Sequence, residues 1–331
     1  MTTGDRLLLL ITGTGRSGTS TMSGTMHHLG LSVPGPYLGA NRSNPKGFFE
    51  SRWSVQFHKR IHRRARINDF DARLGALDDV REATTQESVA ELDAWLAEQD
   101  ADQLVLKDPR TVWHQRLWAD RAAANGRAIR YLSMLRHPAE VVGSRETYYL
   151  SRGKIALDER AYRISNVGRW VSGNLVNERE TRGYERAFVR YTDLLDDWRG
   201  VAGRLRDDLG LAYNTDVAST QHHEVDDFIE PDLRRVRVSW DDLEVPAELR
   251  AVAQATWENL ELLADNHGVH DAASSALDVL AERYARLVDD AQALSYDAIE
   301  SAAAQGRAEG AQKARQKMKE RKRAQKPGPT G

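Results

Sequence analysis

The chain has 331 residues, 40% of them apolar and 29% charged, with a formal net charge of −2. That length buries a full core as one large α/β domain or two smaller ones, and the near-neutral balance exerts no global pull toward nucleic acid or an anionic membrane. Cysteine is absent, which excludes disulfides, thiolate metal sites and a cysteine nucleophile.

The amino-terminal stretch shows no basic region followed by a long apolar run. Leu7 to Ile11 is too short for a signal-peptide core or a membrane span, so a cytoplasmic protein is expected. Those five apolar residues read as a buried strand. Gly13, Gly15 and Gly18 follow, and a helix is predicted from Gly18 to Leu29. A strand, a glycine-rich turn and a helix start form a cradle for a phosphate-like anion: the glycines allow close backbone approach and the first helical N–H groups point at the ligand.

Val33 to Pro36 and Asn41 to Gly47 carry loop chemistry. Phe48-Phe49-Glu50 precedes a helix from about Ser51 to Arg66, whose Arg60, Arg63, Arg64 and Arg66 form a basic, solvated face. Asp69 to Asp102 is acidic and mostly helical. Gln103 to Lys107 is a second strand, broken by Asp108-Pro109. A helix is predicted over Thr111 to Ala124 and a third strand over Ile129 to Leu135. Arg136-His137-Pro138 ends that strand, with Pro138 suited to the first turn of a helix carrying Val141, Val142 and Ser144. Ala161 to Thr181 is helical, Ala187 to Tyr191 is a fourth strand, and Leu194 to Leu209 is a helix ending at Gly210. Strands alternating with helices predict a three-layer α/β/α fold around a central parallel sheet. Ligands bind such sheets at the carboxyl ends of the strands. There the chain places Thr12 to Ser20, Lys107 to Arg110, Arg136 to Pro138 and Tyr191 to Asp193.

His222 to Asp232 reads as an acidic loop leading to Leu233-Arg234-Arg235, and Pro246 to His267 as a helix. From Ala272 to about Arg323 the pattern stays helical; the stripe of Leu277, Leu280, Tyr284 and Leu287 fades beyond Ala302 into a basic run. The expected division is an α/β domain over 1–268 and a C-terminal helical extension with a basic disordered tail over 269–331. The tail reads either as a solvated end or as a weak contact for acidic surfaces. No specific nucleic-acid partner is expected, and the helix from Ala272 is a candidate homo-oligomer surface.

The glycine loop has Walker-type glycine spacing from Gly13 to Gly18, but Thr19 stands where the lysine would be, and the cation is Arg16 inside the loop. The lysine that would reach the outer phosphates of ATP is missing. Gly13-x-Gly15-x-x-Gly18 also matches a dinucleotide fingerprint, without the acidic strand end that fingerprint requires. Arg136 leaves a strand and Ser144 lies eight residues on, so the turn can bring both to one anion, with Arg supplying a planar fork and Ser a neutral donor.

Arg16-Ser-Gly-Thr-Ser20 after one strand, with Arg136 and Ser144 after a later one, resembles the sulfotransferases that use 3′-phosphoadenosine 5′-phosphosulfate (PAPS). Asn44-Pro-Lys-Gly-Phe-Phe-Glu50, Lys107-Asp-Pro-Arg110 and Tyr191-Thr-Asp-Leu194 are similar to motifs of bacterial members, and the loop and Lys-Asp-Pro also resemble tyrosylprotein sulfotransferases. The resemblance runs to about Arg237. It implies PAPS as co-substrate, with no metal, and a P-loop-like 5′-phosphosulfate loop of Gly15, Arg16, Ser17, Gly18, Thr19 and Ser20. It also implies that Arg136 and Ser144 hold the 3′-phosphate. Ser20-Thr21 stands where cytosolic members usually have Thr-Trp.

Sulfuryl transfer needs a stabilised leaving phosphate, donors for the sulfuryl oxygens and a base for the acceptor hydroxyl. Arg16 suits the first and Lys107 the second. Glu50 is the candidate base, as the resemblance also implies, although an acidic residue equally suits the start of the next helix. Asp108 is its rival or an orienting partner of Lys107, and His58, His114 and His137 have no matching context. Arg110 either contacts the acceptor or the 3′-phosphate, or caps the strand end. Tyr191 either lines the nucleotide site or packs in the core, and Arg234 and Arg235 either complete the 3′-phosphate clamp or are solvated. Walls for a small-molecule, glycan or lipid acceptor are expected from Pro34 to Gly47, Ser51 to Arg66 and Tyr148 to Arg169, with Phe48 and Trp53 among their aromatic surfaces. The alternatives are a P-loop-like nucleotide kinase or NTPase, and a non-enzymatic interaction protein acting through the basic helical C-terminus.

Overall fold

The computed structural model describes residues 6–39, 46–150, 158–229 and 238–324. Strand β1 (Arg6–Thr12) is covered on both faces, which is why its apolar run is continuous rather than alternating. The glycine loop leads to α1 (Thr19–His28); α2 (Arg52–Ala65), α3 (Ala76–Ala83) and α4 (Gln86–Ala97) precede β2 (Gln103–Lys107). A 3₁₀ turn over Pro109–Trp113 and α5 (Gln115–Ala124) lead to β3 (Arg127–Leu135), α6 (Pro138–Leu150), α7 (Glu159–Thr181) and β4 (Arg186–Arg190). Then come α8 (Tyr191–Asp196), α9 (Trp198–Leu209), α10 (Glu224–Phe228), α11 (Ala247–Asp265), α12 (Asp271–Leu294) and α13 (Tyr296–Ala324).

The strands form one parallel sheet in the order β2-β1-β3-β4, with helices on both faces, as the alternation predicts. Register decides which face each residue serves. Leu8 pairs with Leu104 and Ile129, and Leu10 with Leu106 and Tyr131. These rows pack under Phe57 and Ile61 of α2, Leu77 of α3, Leu92 and Trp95 of α4 and Trp118 of α5. Leu9, Ile11, Val105, Leu132 and Val189 form the opposite rows, under Met22 and Met26 of α1 and Val201 and Leu205 of α9. Lys107 pairs with Ile11 and shares its parity with Val105, so it leaves the sheet on the α1 side.

Four expected elements divide differently, one of them the helical stretch expected from Ala272 to Arg323, which breaks at Ser295 between α12 and α13. The helix expected over Thr111 to Ala124 starts as a separate 3₁₀ turn, because the Asp108 side chain accepts from Arg110 N (3.0 Å) and Pro109 occupies its first position. Strand β4 stops at Arg190, and Tyr191 opens α8. The helix expected over Leu194 to Leu209 is interrupted at Asp197 (φ −149°), whose carboxylate caps α9 by accepting from Gly200 N at 2.9 Å. The acidic loop after His222 contains α10, closed by a reciprocal cap between His223 and Asp226.

The chain divides into two compact units, residues 1–285 and 286–331. The first includes the start of α12, where Leu277, Leu280 and Tyr284 are buried. The second is helical over its described residues, with Leu294, Tyr296, Ile299 and Met318 exposed. Among the described residues no helix is long and apolar enough to cross a membrane.

Candidate active site

The strand order reverses between β1 and β3, so the loops leaving these two neighbours open a crevice at the carboxyl edge of the sheet. The β1 loop is a tight turn in which Thr14 O accepts from Ser17 N (3.1 Å) and the Thr14 and Ser17 hydroxyls pair at 2.8 Å. Gly18 has φ +87°, and a Cβ there would lie 2.1 Å from Tyr191 Cδ2, so both backbone and space demand glycine. Gly18 offers α1 no side-chain cap. The N–H groups of Thr19, Ser20 and Thr21 therefore have no intrahelical acceptor and sit at the positive end of the helix. Arg16 holds φ +79°, a left-handed conformation unfavourable for any side chain but glycine's.

The second arginine motif arrives at this loop. Arg16 Nε donates to Ser144 Oγ (3.1 Å), and Arg136 Nη1 donates to Arg16 O (3.2 Å). Arg136 also donates from Nε to Glu140 Oε2 (3.0 Å), and its guanidinium lies 5.3 Å from the centre of the Tyr191 ring. Arg136, Ser144 and Tyr191 are all buried. The two anion motifs thus form one continuous array. Tyr191 performs a packing role within it, closing over Gly18 on one side and Arg136 on the other.

Lys107 reaches the same edge from β2. Its ammonium donates to Ser20 Oγ (3.0 Å), to Phe48 O (3.3 Å) and to Glu50 Oε1 (2.5 Å). Glu50 is fixed by its backbone, whose carbonyl accepts from Leu38 N at 2.9 Å, and it follows Phe49 at φ +49°. Its second oxygen lies 4.0 Å from Arg110 Nη1 and takes no hydrogen bond among the described residues. Glu50 and Lys107 are both buried, so the pair retains much of its Coulomb attraction.

Behind this pair, Asp108 is completely buried and its carboxylate is fully engaged. It accepts from Arg110 N (3.0 Å), Arg110 Nη1 (2.8 Å) and His58 Nδ1 (2.8 Å). Trp118 Nε1 donates to His58 Nε2 (3.0 Å), which assigns the His58 proton to Nδ1. Burial alone would raise the Asp108 carboxyl; the Arg110 charge and the His58 hydrogen bond instead hold it well below the usual carboxylate range. Asp108 thus anchors Arg110 through both the backbone and the guanidinium, with its other oxygen on His58. His58 itself is pushed down by burial against the opposing pull of Asp108, and stays neutral.

Asp69 anchors Arg110 from the other side, with Oδ2 2.8 Å from Nη2, and meets His62 Nδ1 at 3.4 Å. Burial opposes ionisation here too, but His62 and Arg110 bring the carboxyl from 3.8 down to about 2. A folded-state value below the unfolded one means stability that is fully present above about pH 4 and lost as pH falls toward 2. Asp69→Asn is expected to start less stable at pH 6 and to lose less than the wild type between pH 4 and 2, as read by urea midpoints. Equal losses in both proteins would remove Asp69 from the acid response.

Of the expected acceptor residues, Phe48 is half-buried and supplies its carbonyl to Lys107, while the Trp53 ring stacks on Phe57 (5.0 Å) and Trp95 (4.5 Å). Arg110 is committed to the two aspartates. Arg234 and Arg235, residues 40–45 and 151–157 of the expected walls, and the tail beyond 324 lie outside the described residues. Among the described residues no group of three histidine or acidic side chains is placed to hold a metal ion. Sequence reasoning missed Arg145, whose guanidinium touches the glycine loop, and the His58–Trp118 support of Asp108. Neither has a local signature; each depends on partners far away in the chain.

No family model matches this chain, and no curated protein matches it. Among solved structures it is similar to the sulfotransferase domain of the Synechococcus PCC 7002 olefin synthase, at 17% identity and TM-score 0.42, covering 81% of this chain and 96% of that one. It is also similar to the sulfotransferase domain from the curacin biosynthetic pathway, at 17% identity and TM-score 0.41, covering 77% and 98%. A third likeness is to sulfotransferase STF1 from Mycobacterium tuberculosis H37Rv, at 13% identity and TM-score 0.40, covering 80% and 77%.

Proposed function

We propose that the protein is a sulfotransferase that moves the sulfuryl group of PAPS to a hydroxyl of a small-molecule, carbohydrate or lipid acceptor. The observation that carries this reading is Lys107, whose ammonium bridges the first turn of the loop helix at Ser20 and the carboxylate of Glu50. A cation that touches both an anion cradle and a buried carboxylate suits group transfer between an anionic donor and a hydroxyl. On this reading the loop amides and Arg16 hold the 5′-phosphosulfate, and Arg136 and Ser144 extend the array toward the 3′-phosphate. The acceptor oxygen attacks sulfur while its proton passes to Glu50, and the bridging S–O bond breaks with its electron pair leaving on the 5′-phosphate. Lys107 offsets the charge on the sulfuryl and bridging oxygens. Arg110 is held by Asp108 and Asp69 behind the Lys107–Glu50 pair. We place the reaction in the cytoplasm, with no metal.

Adenosine 3′,5′-bisphosphate is expected to raise Tm by several degrees, since a ligand at 100 Kd stabilises the folded state by about 2.7 kcal/mol. Label from [³⁵S]PAPS should appear in one class of a carbohydrate, phenol, lipid and peptide acceptor panel. A shift with ATP–Mg²⁺ and none with the bisphosphate would instead select the nucleotide kinase or NTPase reading. Removal of residues 302–331 should leave transfer intact; loss of a partner alone would give the basic helix a separate binding role.

A further inference from the structure

Three groups from α6 and its lead-in close on the turn at Arg16: Arg136 on its carbonyl, Ser144 on its Nε, and Arg145 on the carbonyl before it. Arg145 is the group to which the transfer chemistry assigns nothing. It is buried, donates from Nη1 to Asn166 Oδ1 of α7 (2.7 Å), and makes a longer hydrogen bond from Nη2 to Gly15 O (3.5 Å). Its guanidinium also lies 4.9 Å from the centre of the Phe70 ring. A Cβ on Gly15 would meet Arg145 Nη2 at 3.3 Å and Phe70 Cζ at 3.4 Å, so the loop backbone rests directly on this stacked pair.

The peptide plane gives this contact a consequence. In a trans peptide the C=O and the following N–H point in opposite directions. Arg145 holds the Gly15 carbonyl, so the Arg16 N–H points away from Arg145. Ser17 N–H is occupied by Thr14 O, so it does not substitute for it. A cation on the carbonyl also polarises that peptide and strengthens its N–H as a donor. Arg16 at φ +79° would relax without such restraint.

We infer that Arg145 is a positioning residue for anion binding: anchored by Asn166 and stacked on Phe70, it holds the Gly15–Arg16 peptide so that the Arg16 amide serves as a preformed donor to the bound phosphate group. The inference rests on the loop being the anion site of the proposed function, but not on the anion being PAPS.

The test follows the Arg16 amide resonance in ¹⁵N-labelled full-length protein, titrated with inorganic pyrophosphate and separately with adenosine 3′,5′-bisphosphate. In the wild type that amide is expected to shift on binding. Arg145→Ala should weaken pyrophosphate about tenfold, the scale of one charge-assisted hydrogen bond. Its Arg16 amide should also exchange faster with solvent than in the wild type. Asn166→Leu, which releases the anchor and keeps the arginine, should weaken binding in the same direction, whereas Asn166→Asp, which keeps an acceptor for Nη1, should restore affinity. A structural defect alone would lower Tm without this pattern in the Asn166 pair. Unchanged pyrophosphate affinity in folded Arg145→Ala and Asn166→Leu proteins would overturn the inference while leaving the sulfotransferase reading intact. Wild-type binding of pyrophosphate but not of the nucleotide, with the Arg145 effect present, would support the inference and remove the PAPS reading. Binding of neither anion would overturn both.

Discussion

Lys107→Met is expected to destabilise the protein by about 3–5 kcal/mol and to reduce transfer at least about 100-fold. The Lys107 side chain is 2% exposed and its ammonium makes three hydrogen bonds, to Ser20, Phe48 and Glu50, so removing it leaves a buried carboxylate without its nearest cation. Arg110 does not replace it: its nearest nitrogen is 4.0 Å from Glu50, and both of its forks are held by Asp108 and Asp69. The penalty belongs chiefly to the orphaned charge, so the double variant Lys107→Met/Glu50→Gln should recover much of the stability and none of the transfer. Urea denaturation of the four proteins gives the coupling energy directly. Additive losses across that cycle would show that Lys107 and Glu50 do not act as a pair, and a Lys107→Met enzyme of wild-type turnover would remove the residue from the chemistry.

Arg136→Ala carries the second large effect, about 100-fold weaker binding of adenosine 3′,5′-bisphosphate by calorimetry. The side chain supplies hydrogen bonds to Arg16 O and Glu140 and a cation over Tyr191, and Tyr191 in turn packs against Gly18. On the proposed reading its loss removes a phosphate partner, and it loosens the turn packed against Tyr191. Two charge-assisted contacts of about 1.5 kcal/mol each account for the factor. Arg136→Lys keeps the charge but not the planar fork or the ring stacking, and should recover only part of the affinity. Affinity within twofold of wild type in a folded Arg136→Ala protein would sever the second motif from the proposed nucleotide site.

The sequence by itself determined the class of the fold and the sheet edge at which the candidate residues gather. Those features are local: apolar runs of strand length, Asp108-Pro109 and Arg136-His137-Pro138 as breaks, and glycines where positive φ or close approach is required. Most helix boundaries were legible to within a few residues; the exceptions include the breaks where Asp108 and Asp197 cap the next turn and the break at Ser295. The candidate residues Arg16, Lys107 and Arg136 were legible as charged groups leaving the strands, Ser144 by its spacing from Arg136, and Glu50 as an acid between Phe48-Phe49 and the next helix. Only the tertiary structure decided how they meet. Arg16 and Ser144 touch across 128 positions, Lys107 and Glu50 across 57, and Arg145 and Gly15 across 130. Side-chain parity in the parallel register turned Lys107 toward α1, and long-range packing placed His58 against Asp108 and Trp118 against His58. Residue type and local spacing specify which groups can bind an anion. Register and the approach of distant helices specify which of them share one, because those distances are set by the packing of the whole sheet.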